Sequence, residues 1–535
     1  MKINCELNTS RRDFVRALAV GGAVVAGVGL AGCGKPKEAS TAQGAVTGSV
    51  PETWDLESEL VIVGGGGSGF MAAMAAAEKG VTSLILEKSE KFGGDSALCA
   101  GIFIGYNPEA TKEASGEADT YDKWYADQLN GAQYSQKGLA GGTVGDTSLV
   151  ELQAQLTEET FQWTRDECGV DWQPFDYCHN CWTPQPSWDT VYPRDWNVTE
   201  NFFSKLQAHA DAMDQIESMT GCEVYEIIMN PEGRAVGVRA RKEDGTLVTA
   251  KARRAVVITS GSFSANQGLI SEYLGMEIGR MVNPGNPAST GDGQRMVQQV
   301  GGQLRDMDLG SAWFTATRGS NSLLLVYNMT MYGDRAGKYM PGILVNREGV
   351  RYASENLGYN LGGVEIAKQK YNEAFYVADA KGAAVGDDGS LFRARCKLED
   401  DEIFKADTLE ELAVRMNVPE DAFLAQVERW NSYIDAGKDD EFGRALAGDE
   451  RIETAPFYAI PLHGTPYTTY GGIAVDDQTR VLDQSDNPIQ GLYAAGICTG
   501  SFAEQAGMFY LGGVSQTLIF GRRAGQIAAD MDAWA

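Results

Sequence analysis

Positive charge is scarce in this chain: 45 Lys and Arg face 73 Asp and Glu over 535 residues, a formal net charge of −28. Such a surface repels phosphate backbones, which excludes nucleic acid as a partner; it suits solubility, or docking to a basic protein such as a cytochrome. Cysteine is sparse and scattered. Apart from Cys5 and Cys33 near the N-terminus there are Cys99, Cys168, Cys178, Cys181, Cys222, Cys396 and Cys498, an odd set that does not outline a disulfide framework. No Cys-x-x-Cys-His occurs, so the chain itself carries no c-type haem. Long apolar runs are missing too: the best, ALAVGGAVVAGVGLAGC, is too short and too rich in Gly and Ala to span a bilayer. No internal repeat is present. Glycine, by contrast, is abundant at 64 residues, which fits the tight turns and close backbone approaches of a large α/β protein. The length calls for two domains.

The N-terminus stands apart from the fold. Ser10-Arg11-Arg12-Asp13-Phe14 ahead of the apolar run resembles a twin-arginine export signal, and Leu30-Ala31-Gly32-Cys33 resembles the lipobox at which a bacterial lipoprotein is cut and acylated. Residues 1–33 are therefore expected to be a leader, with Cys33 as the lipidated residue and 34–56 as a flexible tether. Membrane attachment through a lipid, facing outside the cytoplasm, is the implied location. Loss of the leader makes the chain more negative still, since it removes more basic than acidic residues. Cys168-x9-Cys178-His179-Asn180-Cys181 is the one cysteine cluster. It could ligate an iron–sulfur cluster with a fourth residue from elsewhere, form a disulfide after export, or be a set of partly buried thiols.

What organises the rest is residues 60–69, LVIVGGGGSG, followed by a small-residue stretch, FMAAMAAAEKG, and a second apolar run ending at Glu87 and Lys88. Strand, Gly64-x-Gly66-x-x-Gly69, helix and acidic strand end form the dinucleotide-binding βαβ pattern. Its glycines serve a tight turn, backbone approach to a pyrophosphate at Gly66, Gly67 and Ser68, and close packing of helix on strand at Gly69. The pyrophosphate is expected on the positive helix N-terminus and a ribose hydroxyl on Glu87. The Gly-rich stretch 92–101, with Gly94, Asp95 and Ser96, is where a flavin's diphosphate and ring edge would meet backbone N–H groups. A strand meander through residues 236–259 runs into Ser260-Gly261 near the adenosine half, with Val224 placed to touch the adenine, and Asp292 is a capping candidate for the helix that follows TGDG. From 121 to 203 the pattern is helical and aromatic, with Trp163, Trp172, Trp182, Trp188 and Trp196 expected mainly as packing. The character changes at 311–463 to short strands and polar helices, read as an inserted domain, after which the chain returns at Gly472 and closes through Ala495, Gly496 and a final helix carrying Gly513 and Val514. The expected class is α/β: a Rossmann-like FAD-binding domain split in sequence, 57–310 and 464–535, around an α+β insertion. No second nucleotide motif is present, which disfavours NAD(P)H as direct electron donor.

The motifs VIVGGGGSG, LEKSEKFGGDSAL, AVVITSGSFSAN, TGDG, ILVNREGVRYASEN, YGGIAVD, GLYAAG and YLGGVSQTLIFGRRAG follow one another in an order that resembles the flavoprotein family of soluble fumarate reductases and 3-ketosteroid dehydrogenases. The resemblance implies non-covalent FAD and an insertion that caps the substrate beside the flavin N5. It also locates departures. Eight residues after Arg351 of Gly349-Val350-Arg351-Tyr352, where the fumarate reductases have an arginine proton donor, stands Tyr359. Before Leu511-Gly512-Gly513, where they have a carboxylate-binding arginine, stands Tyr510, and their substrate histidine is replaced within Tyr467-Thr468-Thr469-Tyr470. Bidentate arginines are what a small dianion needs. Tyrosines at the two arginine positions are the pattern of the ketosteroid dehydrogenases, and the group includes reductases that saturate the lactone of cardiac glycosides.

On this reading Tyr359 protonates the α-carbon of an activated C=C bond. The Tyr510 hydroxyl, with backbone N–H groups of Gly513 or Val514, forms an oxyanion site whose donors contribute about 3 kcal/mol each. Tyr467 and Tyr332 wall the pocket. The substrate is then a neutral, hydrophobic conjugated carbonyl compound, a steroid enone or unsaturated lactone. Desaturation, the dehydrogenase direction, would use the same residues. A fumarate- or acrylate-type reductase would instead need cations, for which Arg335, Arg318 and Arg351 are the candidates. A flavin-bearing electron carrier without organic substrate is a third alternative, against which the insertion argues. A lipid-anchored exported flavoprotein suits electron delivery from a quinol-linked chain or a c-type cytochrome, and so reduction for anaerobic respiration.

Overall fold

The computed structural model describes residues 49–99, 101–125, 148–174, 181–184, 202–276, 286–308, 310–316, 342–355, 363, 365–383, 403–444, 446, 450–500 and 513–534. The apolar run before the glycine loop is a strand, Leu56–Val63, whose last four residues are all buried. An unbroken apolar run of this kind marks a strand covered on both faces, as in a parallel sheet. It lies between two parallel neighbours, Ser83–Leu86 on one side and Leu247–Ile258 on the other. The parallel series continues outward to Ile216–Met219 and to Pro488–Ala494, and Arg480–Leu482 closes one edge antiparallel. The expected meander is present as Cys222–Met229, Ala235–Lys242 and Leu247–Ile258, joined antiparallel. Together these strands form an eight-stranded mixed sheet among the described residues.

The crossover from the first strand to the second is the helix Gly67–Ala77, GSGFMAAMAAA, buried along its whole length. Its small side chains let the C-terminal helix, Gly513–Ala529, approach closely. A Cβ on Gly521 would come within 2.7 Å of the Ser68 carbonyl oxygen, and one on Gly525 within 2.1 Å of that of Ala72. Beside this contact Phe70 packs edge-on against Phe92 and Phe203, each at 5.4 Å between centroids. The aromatic stretch contributes to the same core: Trp172 stacks on Phe161 and Phe202, with its indole N–H donated to the Thr164 hydroxyl. Trp188 and Trp196 lie outside the described residues.

A second, antiparallel five-stranded sheet is built from Gly310–Ala316, Phe457–Thr469, Ala374–Ala378, Ile343–Asn346 and Phe404–Ala406. Its first and last strands in sequence pair with each other, Gly310 opposite Thr469 through Ala316 opposite Leu462, so the chain enters and leaves it side by side. The two polar helices are Leu409–Met416, capped by the Thr408 hydroxyl accepting from Glu411 N–H, and Glu420–Ala436, ended by Gly437 in the left-handed conformation. Their apolar faces, including Phe423, Val427 and the fully buried Trp430, share a core with this sheet. Among the described residues no helix is long and apolar enough to cross a membrane.

Candidate cofactor and active site

The strand order reverses at Leu56–Val63: the chain crosses to Ser83–Leu86 on one side, and Leu247–Ile258 later fills the other. Crevices at the carboxyl ends of strands at such a point are where doubly wound sheets bind ligands. Here that crevice is a cleft holding about 750 Å³ of space open to solvent. Each glycine of the fingerprint has a separate physical reason. Gly64 sits at φ +113°, and a Cβ there would lie 2.5 Å from the Thr259 carbonyl oxygen. A Cβ on Gly69 would meet the Gly64 carbonyl at 2.2 Å, so helix packs on loop through bare backbone. Gly66 is different: its φ of −87° and ψ of −174° suit any residue, and its nearest obstacle, the Gly93 carbonyl oxygen, is 3.7 Å away. Space at Gly66 is therefore reserved for something other than protein.

Gly66 is the N-cap of the crossover helix, with no side chain capping it and no acidic residue in the first turn. Apart from Gly67 N–H, which is given to Ser96, the first-turn N–H groups and the positive end of the dipole thus face the cleft, suited to a phosphate. Glu87, at the end of Ser83–Leu86, accepts from Gly65 N–H and Ser89 N–H, both at 2.8 Å. Its remaining lone pairs are open to a ribose hydroxyl. Lys88 donates to the Thr290 hydroxyl and pairs with Asp292 at 2.6 Å. Burial pushes the Asp292 carboxyl up, but the Lys88 ammonium beside it leaves it below the usual carboxylate range. Asp292 is not the cap expected from sequence: Gly291, at φ +78°, caps the helix Asp292–Gln299, and the carboxylate turns to Lys88 and Thr290 instead.

The turn Gly94–Ala97 closes the other wall. The Ser96 hydroxyl accepts from Gly67 N–H at 3.2 Å, and Asp95 takes Asn286 N–H and the Ser289 hydroxyl. Gly64, Gly66, Gly67, Ser68, Glu87, Lys88, Gly94, Asp95, Ser96, Val224, Ser260, Gly261 and Asp292 all line the cleft. Gly69 lies behind it in helix packing. Ala495 is buried, its N–H donated to the Ile258 carbonyl, and Gly472 and Gly496 pass tightly against Cys498 and Ser68. Gly513 and Val514 open the C-terminal helix, Val514 within the core. Sequence reasoning missed Asn286, Ala288, Ser289 and Ile497, which also line the cleft. The only signal for the first three was the short run of small residues NPAS, just before TGDG; Ile497 follows Gly496 directly and gave none.

The donor set fits a dinucleotide. The helix N-terminus, with only Gly67 N–H taken by Ser96, suits the diphosphate and Glu87 the ribose, and Val63, Leu86, Cys222, Val224 and Met296 form an apolar face suited to adenine. The Ser260 hydroxyl, on the same wall, is buried without a hydrogen-bond partner, a vacancy that a cofactor atom would fill.

Tyr359, Tyr510, Tyr332, Arg335 and Arg318 lie outside the described residues, as do Cys33 and Cys178. Tyr467 is carried by the strand Phe457–Thr469 at the register shift opposite Ser311 and Ala312. Arg351 is fully described. Its guanidinium, with no exposed side-chain surface, bonds Glu355 at 2.7 Å and Asp439 at 2.9 Å and lies 4.7 Å over the Trp430 ring. Arg444 joins the same cluster through Glu355 and the Gly342 carbonyl. Cys168 is a buried thiol pushed up to about 12 by burial, and Cys181 lies on the strand Cys181–Pro184. No metal-holding group of side chains occurs among the described residues.

A cleft with these donors defines a dinucleotide-binding protein, and comparison with known proteins identifies the dinucleotide as FAD. The FAD binding domain family matches residues 59–515, and the chain belongs to that family. Digoxin reductase of Eggerthella lenta is 30% identical over 99% of this chain and 98% of its own length. Urocanate reductase of the same organism is 27% identical over 90% of this chain and 76% of its own. In fold, the chain is similar to 3-ketosteroid-Δ4-(5α)-dehydrogenase from Rhodococcus jostii RHA1, solved with 4-androstene-3,17-dione: 24% identity, TM-score 0.70, 90% of this chain and 98% of that one. The protein is thus an FAD-dependent oxidoreductase, related to reductases of C=C bonds.

Proposed function

We propose that the protein is an exported, lipid-anchored reductase of the activated C=C bond in a neutral, hydrophobic conjugated carbonyl compound, such as a steroid enone or unsaturated lactone. The observation that carries this is the similarity to digoxin reductase along essentially the full length of both chains. Such a reduction needs a hydride at the β-carbon, a stabilised carbonyl oxyanion and a proton at the α-carbon, and bound FAD supplies the hydride. Tyr359 gives the proton. The Tyr510 hydroxyl and the N–H groups opening the helix Gly513–Ala529 hold the developing oxyanion. The antiparallel sheet unit, entered and left by paired strands, acts as a cap over the substrate.

Arg351 supports the neutral substrate. A small acid would need a free cation, and this one is committed to Glu355 and Asp439, so that recruiting it would leave the buried Asp439 without its counterion and Glu355 with Arg444 alone. The likeness to urocanate reductase favours the competing reading of an acid substrate, for which Arg335 and Arg318 are the remaining candidates. The resemblance of residues 10–33 to an export signal and lipobox supports delivery of electrons from a quinol-linked chain through a basic cytochrome drawn to the acidic surface.

Stopped-flow reoxidation of dithionite-reduced enzyme against unsaturated steroids, lactones and acids separates these readings. Neutral enones or lactones should reoxidise it fastest; a preference for fumarate or urocanate overturns the proposal, and reoxidation by a protein partner alone identifies an electron carrier. Tyr359→Phe should abolish turnover with FAD still bound, and Tyr510→Phe should lower it about tenfold or more. Full activity in Tyr359→Phe removes the proton-donor role.

A further inference from the structure

The cleft wall carries three carboxylates, Glu87, Asp95 and Asp292, against one ammonium, Lys88. Lys88 is paired with Asp292, and Glu87 is held by two backbone N–H groups. Asp95 has no cation within reach among the described residues. Its Oδ1 accepts from Asn286 N–H at 3.0 Å and its Oδ2 from the Ser289 hydroxyl at 2.8 Å.

The elements around Asp95 offer little charge. Its own turn leads to Cys99, a thiol pushed up to about 12, first by burial and then by Asp95 itself. Residues 260–264 and 286–289 bring no ionisable side chain. The helix Phe202–Asp211 packs Phe203 beside Gly93, with Lys205 exposed and His209 set edge-on to Trp163. The C-terminal helix brings Thr517 to this wall.

Asp95 also stands beside the helix N-terminus, where a diphosphate would dock. Gly93 bridges to Gly66, a Cβ on Gly94 would lie 3.9 Å from the Gly66 Cα, and Ser96 holds Gly67 N–H. Filling the cleft would bring a dianion beside this carboxyl and cover the surface it still exposes, and both effects disfavour the carboxylate.

We propose that Asp95 is protonated when FAD is bound, so that the cofactor enters together with one proton and meets a hydrogen-bond donor rather than an anion. A hydroxyl rotates to suit its neighbours, so Ser289 can accept from protonated Oδ2 and turn its own hydrogen into the cleft. Burial already pushes the Asp95 carboxyl above its ordinary range, against the Ser289 and Asn286 donors that favour the anion.

The test needs no organic substrate. Full-length protein freed of FAD is titrated with FAD by calorimetry, in buffers of different ionisation enthalpy, between about pH 5 and pH 9. Wild-type protein should take up one proton per FAD where free Asp95 is ionised, with Kd weakening about tenfold per pH unit over that interval. Asp95→Asn keeps the size and the donor; it should bind as tightly as wild type at low pH, with no proton uptake and a flat profile. Asp95→Leu should bind about tenfold more weakly than the asparagine variant. Absence of proton uptake by wild type across the range overturns the proposal. So does uptake unchanged in Asp95→Asn, or loss of FAD from an asparagine variant that keeps its circular dichroism. Should the variants fail to fold, the carboxyl stretch of protonated Asp95, which is absent from the FAD-free protein at neutral pH, is read by infrared difference spectroscopy on wild type; its absence from the FAD-bound protein overturns the proposal.

Discussion

Two aspartates mark the difference between the cleft and the second sheet. Asp439 is enclosed with Arg351 and accepts backbone N–H groups of Glu441, Phe442 and Arg444; burial raises its carboxyl, yet Arg351 and these donors bring it down to about 2. Asp95 accepts a hydroxyl and one N–H, faces the cleft, and is shifted upward. One carboxylate was given its counterion by the fold and is finished as a structural part. The other has no counterion among the described residues and lines the cleft that fits a dinucleotide. Charge inside a protein therefore says less about function than whether the chain itself neutralises it.

The sharpest way to break this contrast is to fill the cleft without disturbing the core. Gly66→Val places a side chain in a backbone conformation valine adopts readily, with no protein atom in the way. FAD affinity should fall by about a hundredfold or more, read by flavin retention on gel filtration, while thermal unfolding of the FAD-free protein shifts little. Gly64→Val is the control with the opposite signature: at φ +113° and 2.5 Å from Thr259 it should unfold the domain. If Gly66→Val kept its flavin, the cleft would not be the cofactor site. Next in size, Arg351→Met removes the cation from Glu355 and Asp439 and should cost about 3–5 kcal/mol in denaturant unfolding. The same variant should leave FAD affinity near wild type; a comparable loss of flavin would show that the two regions are coupled.

The nucleotide half was legible because its signals are local. Strand, glycine loop and Glu87 fall within one short stretch; Gly64 and Gly69 have backbone reasons that the motif encodes, and Gly66 leaves room beside the helix N-terminus. Asn286 and Ser289 were not legible: they come from a distant loop with no periodicity, and only tertiary folding brings them against Asp95. Asp292 was misread for a similar reason, since nothing near it in sequence announces Lys88 as its partner. The buried cluster was equally hidden. GVRY named Arg351 as a candidate substrate cation, while its partner Asp439 stands far along the chain. Length separates groups that chemistry joins, and a motif reports only the first.

The smallest expected effect concerns acid. Asp439 and Glu355 both titrate below their ordinary values in the folded protein, burial being outweighed by Arg351 and its neighbours for Asp439 and by Arg444 and Arg351 for Glu355. A carboxyl whose folded pKa is depressed contributes stability above its unfolded pKa and loses it as pH falls toward the folded one. The window for Asp439 therefore opens near pH 4 and closes near the folded value of about 2. Asp95 has the reverse sign: its raised carboxyl stabilises the folded chain at low pH and contributes less as pH rises through its folded value. Unfolding free energy measured from about pH 5 down to pH 2 should fall by about 1–2 kcal/mol more in wild type than in Asp439→Asn, in which that carboxyl no longer titrates. Parallel curves for the two proteins would mean that Arg351 does not stabilise the Asp439 anion.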